Sequence, residues 1–249
     1  MQDKTLIVLP SYNEAKNLEN SVHSLTDYLQ QHGLTNCDIV ITNNNSHDDT
    51  EDLGKRICDD KHIFYHFVKE QGKGIAVIDT WLKYDGYKRY AFMDTDLSTD
   101  LNDLERLLAE IDNGYGLVIG SRYLTESERQ RSPKREFVSF GYRTLFHMLF
   151  TWKITDPQCG FKAISKEVRD NVAPYIENKG FFFDTELIMR TIKAGYSVYE
   201  IPVTWKEASS STLKFAKDVP RFLKGLFGLY IRLKKESLTK FYQNLSSHF

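Results

Sequence analysis

Five short apolar runs, separated by stretches with helical spacing, fill the first 120 residues and restrict the chain to a layered α/β fold. Residues 5 to 10, TLIVLP, read as a buried strand, and the stretch after it carries Leu18, Val22, Leu25 and Leu29 at helical intervals. Asp38 to Thr42 predict a second strand, with NNNSHDDT as a loop ending in a helix start near Asp48. A third strand follows at His62 to Val68. Gly72, Lys73 and Gly74 open a helix through Leu82, and Lys88 to Met93 return as the central strand. A helix over 102–112 and a strand from Gly116 to Gly120 complete the alternation. Strands joined by helices of about ten residues or more imply right-handed crossovers and a mainly parallel sheet, with ligands outside the carboxyl ends of the strands. Tyr12, Asn43, Gly72 and Asp94 all lie at such ends.

The central run stops abruptly in Asp94, Thr95 and Asp96. Residues two apart on an extended backbone leave on the same side, so both carboxylates project together. Like charges that close repel by roughly 3 kcal/mol at an effective dielectric of about 20, unless a cation or a shared proton lies between them. Mg2+ or Mn2+ suits hard oxygen ligands and completes its shell with water and substrate phosphates, which points to a metal-bound nucleotide. In the competing reading Asp94 merely ends a strand while Ser98, Thr99 or Asp100 caps the helix beginning near Asn102. Capping accounts for the later residues and leaves the first pair unexplained.

The rhythm breaks at Ser121. A polar, basic loop over 121–135 leads into FVSFGYRTLFHMLFTW, which is apolar on more than one face and predicts a buried core helix. TDPQCGFKAIS, FFFDTELIMRTIKAG, the strand-like YSVYEIPVTW and a long helix from about Lys217 form an α+β second half. A single large domain over 1–216, with halves at 1–120 and 121–216, and a helical extension over 217–249 accommodate the 249 residues. On that extension Phe222, Leu223, Leu226, Phe227, Tyr230 and Leu233 share a face, with Arg221, Lys224, Arg232, Lys234 and Lys235 around it. Such a helix lies in a membrane interface or packs on its own domain.

No apolar stretch reaches the roughly 18 residues of a membrane span, and the N-terminus lacks the length and cleavage site of a signal peptide. Cys37, Cys58 and Cys159 are widely spaced and odd in number, which suits a reducing compartment. The expected setting is cytoplasmic, peripheral on the cytoplasmic face of a membrane. With a net charge of −1 no global argument exists for nucleic acid, and no such partner is expected.

Taken in order, PSYNE at 10–14, NNNSHDDT at 43–50, GKG at 72–74, DTDLST at 94–99, GSR at 120–122, DPQCGFK at 156–162, FFFDTEL at 181–187 and EIPVTW at 200–205 form a specific set. In these the chain resembles family 2 glycosyltransferases of the GT-A (Rossmann-like) fold, especially the polyprenyl-phosphate and dolichyl-phosphate glucosyl- and mannosyltransferases. DTDLST and DPQCGFK are closer to the glucosyl branch. The resemblance implies that Pro10, Tyr12 and Glu14 line the base and ribose, and that Asp94 and Asp96 hold the nucleotide sugar through Mg2+ or Mn2+. Thr95, in the same motif, and Lys73 belong to that site; Lys73 would sit near the phosphates, or at a solvated helix start. Arg122, Arg135 and Ser139 match the family's grip on an acceptor phosphate, against the alternative that Arg129, Arg131, Lys134 and Arg135 form a solvated basic loop.

Three positions depart from the family. Asn43 and Asn44 replace a frequent acidic pair, and their amides would favour uracil over guanine. Ser98 stands where mannosyl members tend to have glutamine. The family's Ser-Lys appears as Ser211-Thr212, which moves any lysine contact with the diphosphate to Lys214. The expected activity is inverting transfer of a hexose, glucose first, from UDP-glucose to a polyprenyl phosphate. That reaction needs no general base, and Asp156, with Gln158, would orient the site. The alternatives are transfer to a glycan or lipid-linked hydroxyl with Asp156 as base, and an inactive module that binds sugar nucleotides.

Overall fold

The computed structural model describes residues 3–59, 61–130, 133–150, 153–207 and 223–236, without the side chains of 133–135, 137 and 138. Its centre is a seven-stranded sheet in the order β3-β2-β1-β4-β7-β5-β8. The first half builds the parallel part: β1 (Thr5–Ser11), β2 (Cys37–Asn43), β3 (Ile63–Phe67), β4 (Arg89–Met93) and β5 (Leu117–Ser121). Between them run α1 (Leu18–Gln31), α2 (Thr50–Ile57), α3 (Lys73–Lys83) and α4 (Leu104–Asp112). Residues of β1, β2, β4 and β5 are buried almost throughout, so these strands are apolar on both faces, as a parallel sheet covered by helices requires.

The second half enters the same sheet. A three-residue strand, β6 (Glu128–Gln130), and α5 (Pro133–Leu149) precede β7 (Phe161–Ser165), which slots antiparallel between β4 and β5. After α6 (Lys166–Asn171) and α7 (Phe183–Lys193), β8 (Val198–Pro202) pairs parallel with β5 at the edge, and β9 (Thr204–Lys206) pairs with β6. The division at residue 120 therefore separates stretches of sequence within one continuous sheet. The register Met93↔Phe161 brings the segment 156–160 to the end of β4, beside the acidic motif.

Two expectations about helices change. In α5, Phe146 is buried, but Phe140 and Met148 are 60% and 75% exposed, so its apolar residues face both the core and solvent. The final helix, α8 (223–236), buries Leu226, Leu229 and Leu233 in its own domain, and a Cβ on its Gly225 would meet the Phe182 ring at 2.8 Å. The face expected at a membrane is thus partly internal, and Leu223, Phe227 and Ile231, four residues apart, form the exposed stripe. Arg221 and Phe222 lie outside the described residues. Among the described residues no helix is long and apolar enough to cross a membrane.

Candidate active site

The loops that follow β1, β2, β3 and β4 converge at one edge of the sheet. Thr95 fastens two of them: its hydroxyl donates to Pro10 O at 3.1 Å and lies 3.1 Å from Ser11 Oγ. Thr95 is buried, so it acts as a clasp between β1 and β4 rather than as a ligand contact. The turn beyond it closes through Leu97 N to Asp94 O, with Leu97 at φ 47°, a left-handed conformation that costs a branched residue about 1–2 kcal/mol. Ser98 donates through N and Oγ to Asp96 Oδ1 at 3.0 and 2.7 Å, fixing that carboxylate.

Asp94 is fixed differently. Its N donates to Gly160 O, its carboxylate rests against the Gly160 Cα, and Oδ1 lies 2.6 Å from Lys73 Nζ. Lys73 is largely covered, its side chain 12% exposed, and is not a solvated helix start; desolvation lowers its pKa, but Asp94 and Asp184 outweigh that and raise it above the ordinary range. Burial first, then Asp94, push the Asp96 carboxyl up against the Ser98 hydrogen bonds. Glu14 is likewise raised, by burial and by Asp96 and Asp94, against its bond from Asn17. Hard oxygens crowded in a negative field, with the Asp94 side chain 42% exposed, fit a divalent cation.

The base side differs from expectation. Asn43 Nδ2 donates to Tyr65 and its Oδ1 accepts from Ser46 N, while Asn44 Nδ2 donates to Glu70 O and its Oδ1 accepts from Gly72 N. Both amides are committed to loop closure and are buried, so neither offers a free edge to a base. Tyr12 is exposed at the rim, its ring edge-on to His47, and the exposed Gln71 Nε2 lies 3.3 Å from Tyr12 OH. Gln71, which the sequence did not single out, also has Nε2 3.3 Å from Asn45 O and 3.4 Å from His47 Nε2.

On the far side Arg122 and Asp156 form a buried fork: Nε to Oδ2 at 2.6 Å and Nη2 to Oδ1 at 2.8 Å, with Arg122 N also on Oδ2. Burial raises the Asp156 carboxyl, but Arg122 dominates and holds it below the usual range. Glu200 accepts Thr155 N and Asp156 N, locking the preceding turn. Gln158 donates to Thr185 Oγ1 at 2.7 Å, and Tyr142 OH lies 2.7 Å from the same oxygen. Cys159, buried beside them, has its thiol pushed up to about 12 by burial, so it is no nucleophile.

Two more arginines stand here: Arg129, which the sequence offered only as part of a solvated basic loop, and Arg143, which it did not single out. Arg129 and Arg143 lie 4.6 and 3.4 Å from the centre of the Tyr123 ring, and Glu136 Oε1 sits 3.4 and 3.8 Å from their guanidinium nitrogens. Ser139 is on α5 between Glu136 and Arg143 at helical spacing. The Arg135 side chain and Lys214 lie outside the described residues.

A family model described as Glycosyl transferase family 2 matches residues 6–172. Glycosyltransferase AglD of Haloferax volcanii is 30% identical over 217 residues, 86% of this chain, although the chain spans 35% of that protein's length. Polyprenol monophosphomannose synthase of Mycolicibacterium smegmatis is 30% identical, with 86% of this chain and 81% of that protein covered. Dolichyl-phosphate beta-glucosyltransferase of Saccharomyces cerevisiae is 28% identical over 88% and 72%. Glucosyl-3-phosphoglycerate synthase from Mycobacterium tuberculosis, solved with Mn2+, UDP-glucose and phosphoglyceric acid, superposes with a TM-score of 0.70 at 18% identity, covering 92% of this chain and 80% of that one. That likeness establishes the α/β fold with its mostly parallel sheet.

Proposed function

The chain belongs to glycosyl transferase family 2, and we infer that it transfers a hexose from a nucleotide diphosphate sugar to a polyprenyl phosphate with inversion. Glucose is the favoured hexose, because relatives named dolichyl-phosphate beta-glucosyltransferase recur among the similar proteins. UDP-glucose is the first donor to test, with the exposed Gln71, whose Nε2 also reaches Tyr12, Asn45 O and His47, as the carboxamide at the rim nearest the residues expected to line the base.

One observation carries the choice of acceptor. Asp156 has both oxygens on Arg122 and its carboxyl held in the ionised range, so it is badly placed to receive a proton from an attacking hydroxyl. A phosphate monoester, with a second pKa of about 6, is already an anion near pH 7 and needs no base. Arg129, Arg143 and the remaining Nη1 of Arg122, with Ser139 and Arg135 on α5, are the groups to hold it in line behind the anomeric carbon. As the acceptor oxygen bonds to that carbon, the bond to the diphosphate breaks and its electrons stay with the leaving phosphate. Lys73 then faces new negative charge without moving far. A divalent cation bound by Asp94 and Asp96 would supply Lewis-acid neutralisation of the same charge.

The exposed apolar residues of α5 and of α8, where Phe150, the residue that follows α5, packs edge-on to Tyr230 of α8, suit peripheral docking where a polyprenyl tail resides. The deciding experiment incubates the protein with labelled UDP-glucose, GDP-mannose and other nucleotide sugars, each with short-chain polyprenyl phosphate and with a neutral glycan. Transfer to the glycan and not to the lipid phosphate would replace this reading by the hydroxyl-acceptor one. Binding without transfer to any acceptor would leave a sugar-nucleotide binding module.

A further inference from the structure

The two glycines of the GKG motif press the start of α3 against the start of α7. A Cβ on Gly72 would lie 2.8 Å from the Lys179 carbonyl carbon, and one on Gly74 would lie 2.5 Å from Asn178 O and from Phe183 Cβ. Ile75 N donates to Lys179 O at 3.0 Å. This backbone contact carries Lys73 and Asp184, one from each helix, into the interior. Lys73 Nζ is 2.6 Å from Asp94 Oδ1 and 3.9 Å from Asp184 Oδ2, and Asp184 Oδ1 is 2.6 Å from Nζ of the fully buried Lys162. Lys162 is also held by Cys159 O, and the Phe92 ring lies 5.1 and 5.8 Å from the two ammonium groups. Four charges thus alternate inward from solvent: Asp94, Lys73, Asp184, Lys162.

We propose that Lys73 is a resident counter-ion which exchanges with the divalent cation, its ammonium sitting on Asp94 when the cation is away and crossing to Asp184 when the cation takes Asp94. This rests on Asp94 and Asp96 being the cation's ligands. An ammonium and a divalent cation on one carboxylate repel, so the weaker charge is displaced. The displacement is small, because shortening 3.9 Å to the roughly 2.8 Å of a charged hydrogen bond is a side-chain movement of about 1 Å. Asp184 is poised to receive it: Lys162 holds one oxygen and leaves Oδ2 facing Lys73. Asp184 and Lys162 are therefore positioning residues. They keep a positive charge beside the diphosphate site in both states, and they spare Asp94 from bare repulsion by Asp96 between turnovers.

The test is Mn2+ binding without nucleotide, read from the electron paramagnetic resonance of free Mn2+. Lys73→Met should tighten binding about tenfold, by removing the competitor. Asp184→Leu with Lys162→Met removes a buried pair as a unit and leaves the net charge unchanged, a replacement that folds tolerate. It should weaken binding about tenfold in the wild-type background, where Lys73 loses its second seat, and less than twofold in the Lys73→Met background. An equal loss in both backgrounds, or no tightening in Lys73→Met, overturns the exchange while leaving the cation site intact. Wild-type binding that Asp96→Asn does not reduce overturns the cation site and the exchange with it.

Discussion

Gly160 lies so close beneath Asp94 that a Cβ on it would come within 2.6 Å of Oδ1 and closer still to Oδ2. The motif after the second-half turn thereby shapes the carboxylate at the end of β4. Gly160→Ala should push Asp94 off its seat without disturbing the backbone, since Gly160 does not need a left-handed conformation. Changes in such supporting contacts typically cost about 10-fold to 100-fold in metal affinity. Calorimetric Mn2+ binding in the presence of UDP, with thermal melting as the control, measures it; unchanged affinity would remove Gly160 from the site.

Asp96→Asn should abolish turnover and yet stabilise the cation-free protein. Burial and Asp94 raise the Asp96 carboxyl, so folding favours its protonated form. That preference is fully present below the ordinary aspartate value of about 3.9 and is lost as pH rises through the raised one, leaving a strained carboxylate at pH 7. Asparagine keeps an oxygen for Ser98 and removes the charge. A gain of about 1 kcal/mol would raise Tm by about 2–4 °C at pH 7 and should vanish near pH 3. A lower Tm for the variant at pH 7 contradicts this account.

The first half of this fold is legible because each parallel strand carries a local signature, an apolar run closed by turn residues, and the helices repeat every 3.6 residues. The insertion of β7 between β4 and β5 is not, since FKAIS names no partner and the pairing joins residues about 70 apart. The acidic pair was legible as the end of an apolar run, but its geometry was not: β4 stops at Met93 and Asp94 to Leu97 form a turn, so Asp96 is placed by Ser98 rather than by extended backbone. Asp184 was not legible, because an acid in a helix's first turn reads as dipole chemistry, and Lys162 only as the polar position of a strand. The usable signal is a lysine within an otherwise apolar strand, which demands a buried acid. Asn43 and Asn44 misled for a related reason: asparagine at a strand end closes turns as readily as it reads ligands.

Membrane docking has a defined surface to test. Phe140 and Met148 on α5, and Leu223, Phe227 and Ile231 on α8, are exposed. The wild-type protein should float with anionic vesicles at low salt, and Phe227→Glu with Ile231→Glu should cut the bound fraction at least about tenfold, since burying each large apolar side chain gains about 1.5–3 kcal/mol. Melting at the wild-type temperature would show that the buried Leu226–Leu229–Leu233 face still holds α8 in place. A wild-type protein that stays wholly with the soluble fraction rules the surface out.

Asp156→Asn separates the two acceptor mechanisms. Removing one charge of the buried Arg122–Asp156 pair leaves a guanidinium short of its counter-ion, and breaking such pairs costs about 3–5 kcal/mol, so the variant should melt well below wild type. The loss has a pH signature. Arg122 holds the Asp156 carboxyl low, so the pair's contribution is present above the ordinary aspartate value and disappears as pH falls through the depressed one; wild type and variant should converge in acid. Activity is a separate matter, measured per folded molecule at a temperature where both are native. A general base contributes typically about 100-fold to 10,000-fold, whereas an orienting carboxylate whose amide replacement still accepts from Arg122 contributes less. With polyprenyl phosphate the variant should therefore keep its turnover within about tenfold of wild type. Arg143→Ala, which removes a guanidinium stacked on Tyr123 while sparing the buried pair, should instead raise the KM for the lipid phosphate about tenfold or more. Loss of about a thousandfold in Asp156→Asn, with wild-type transfer to the neutral glycan, would identify Asp156 as the base and a hydroxyl as the acceptor.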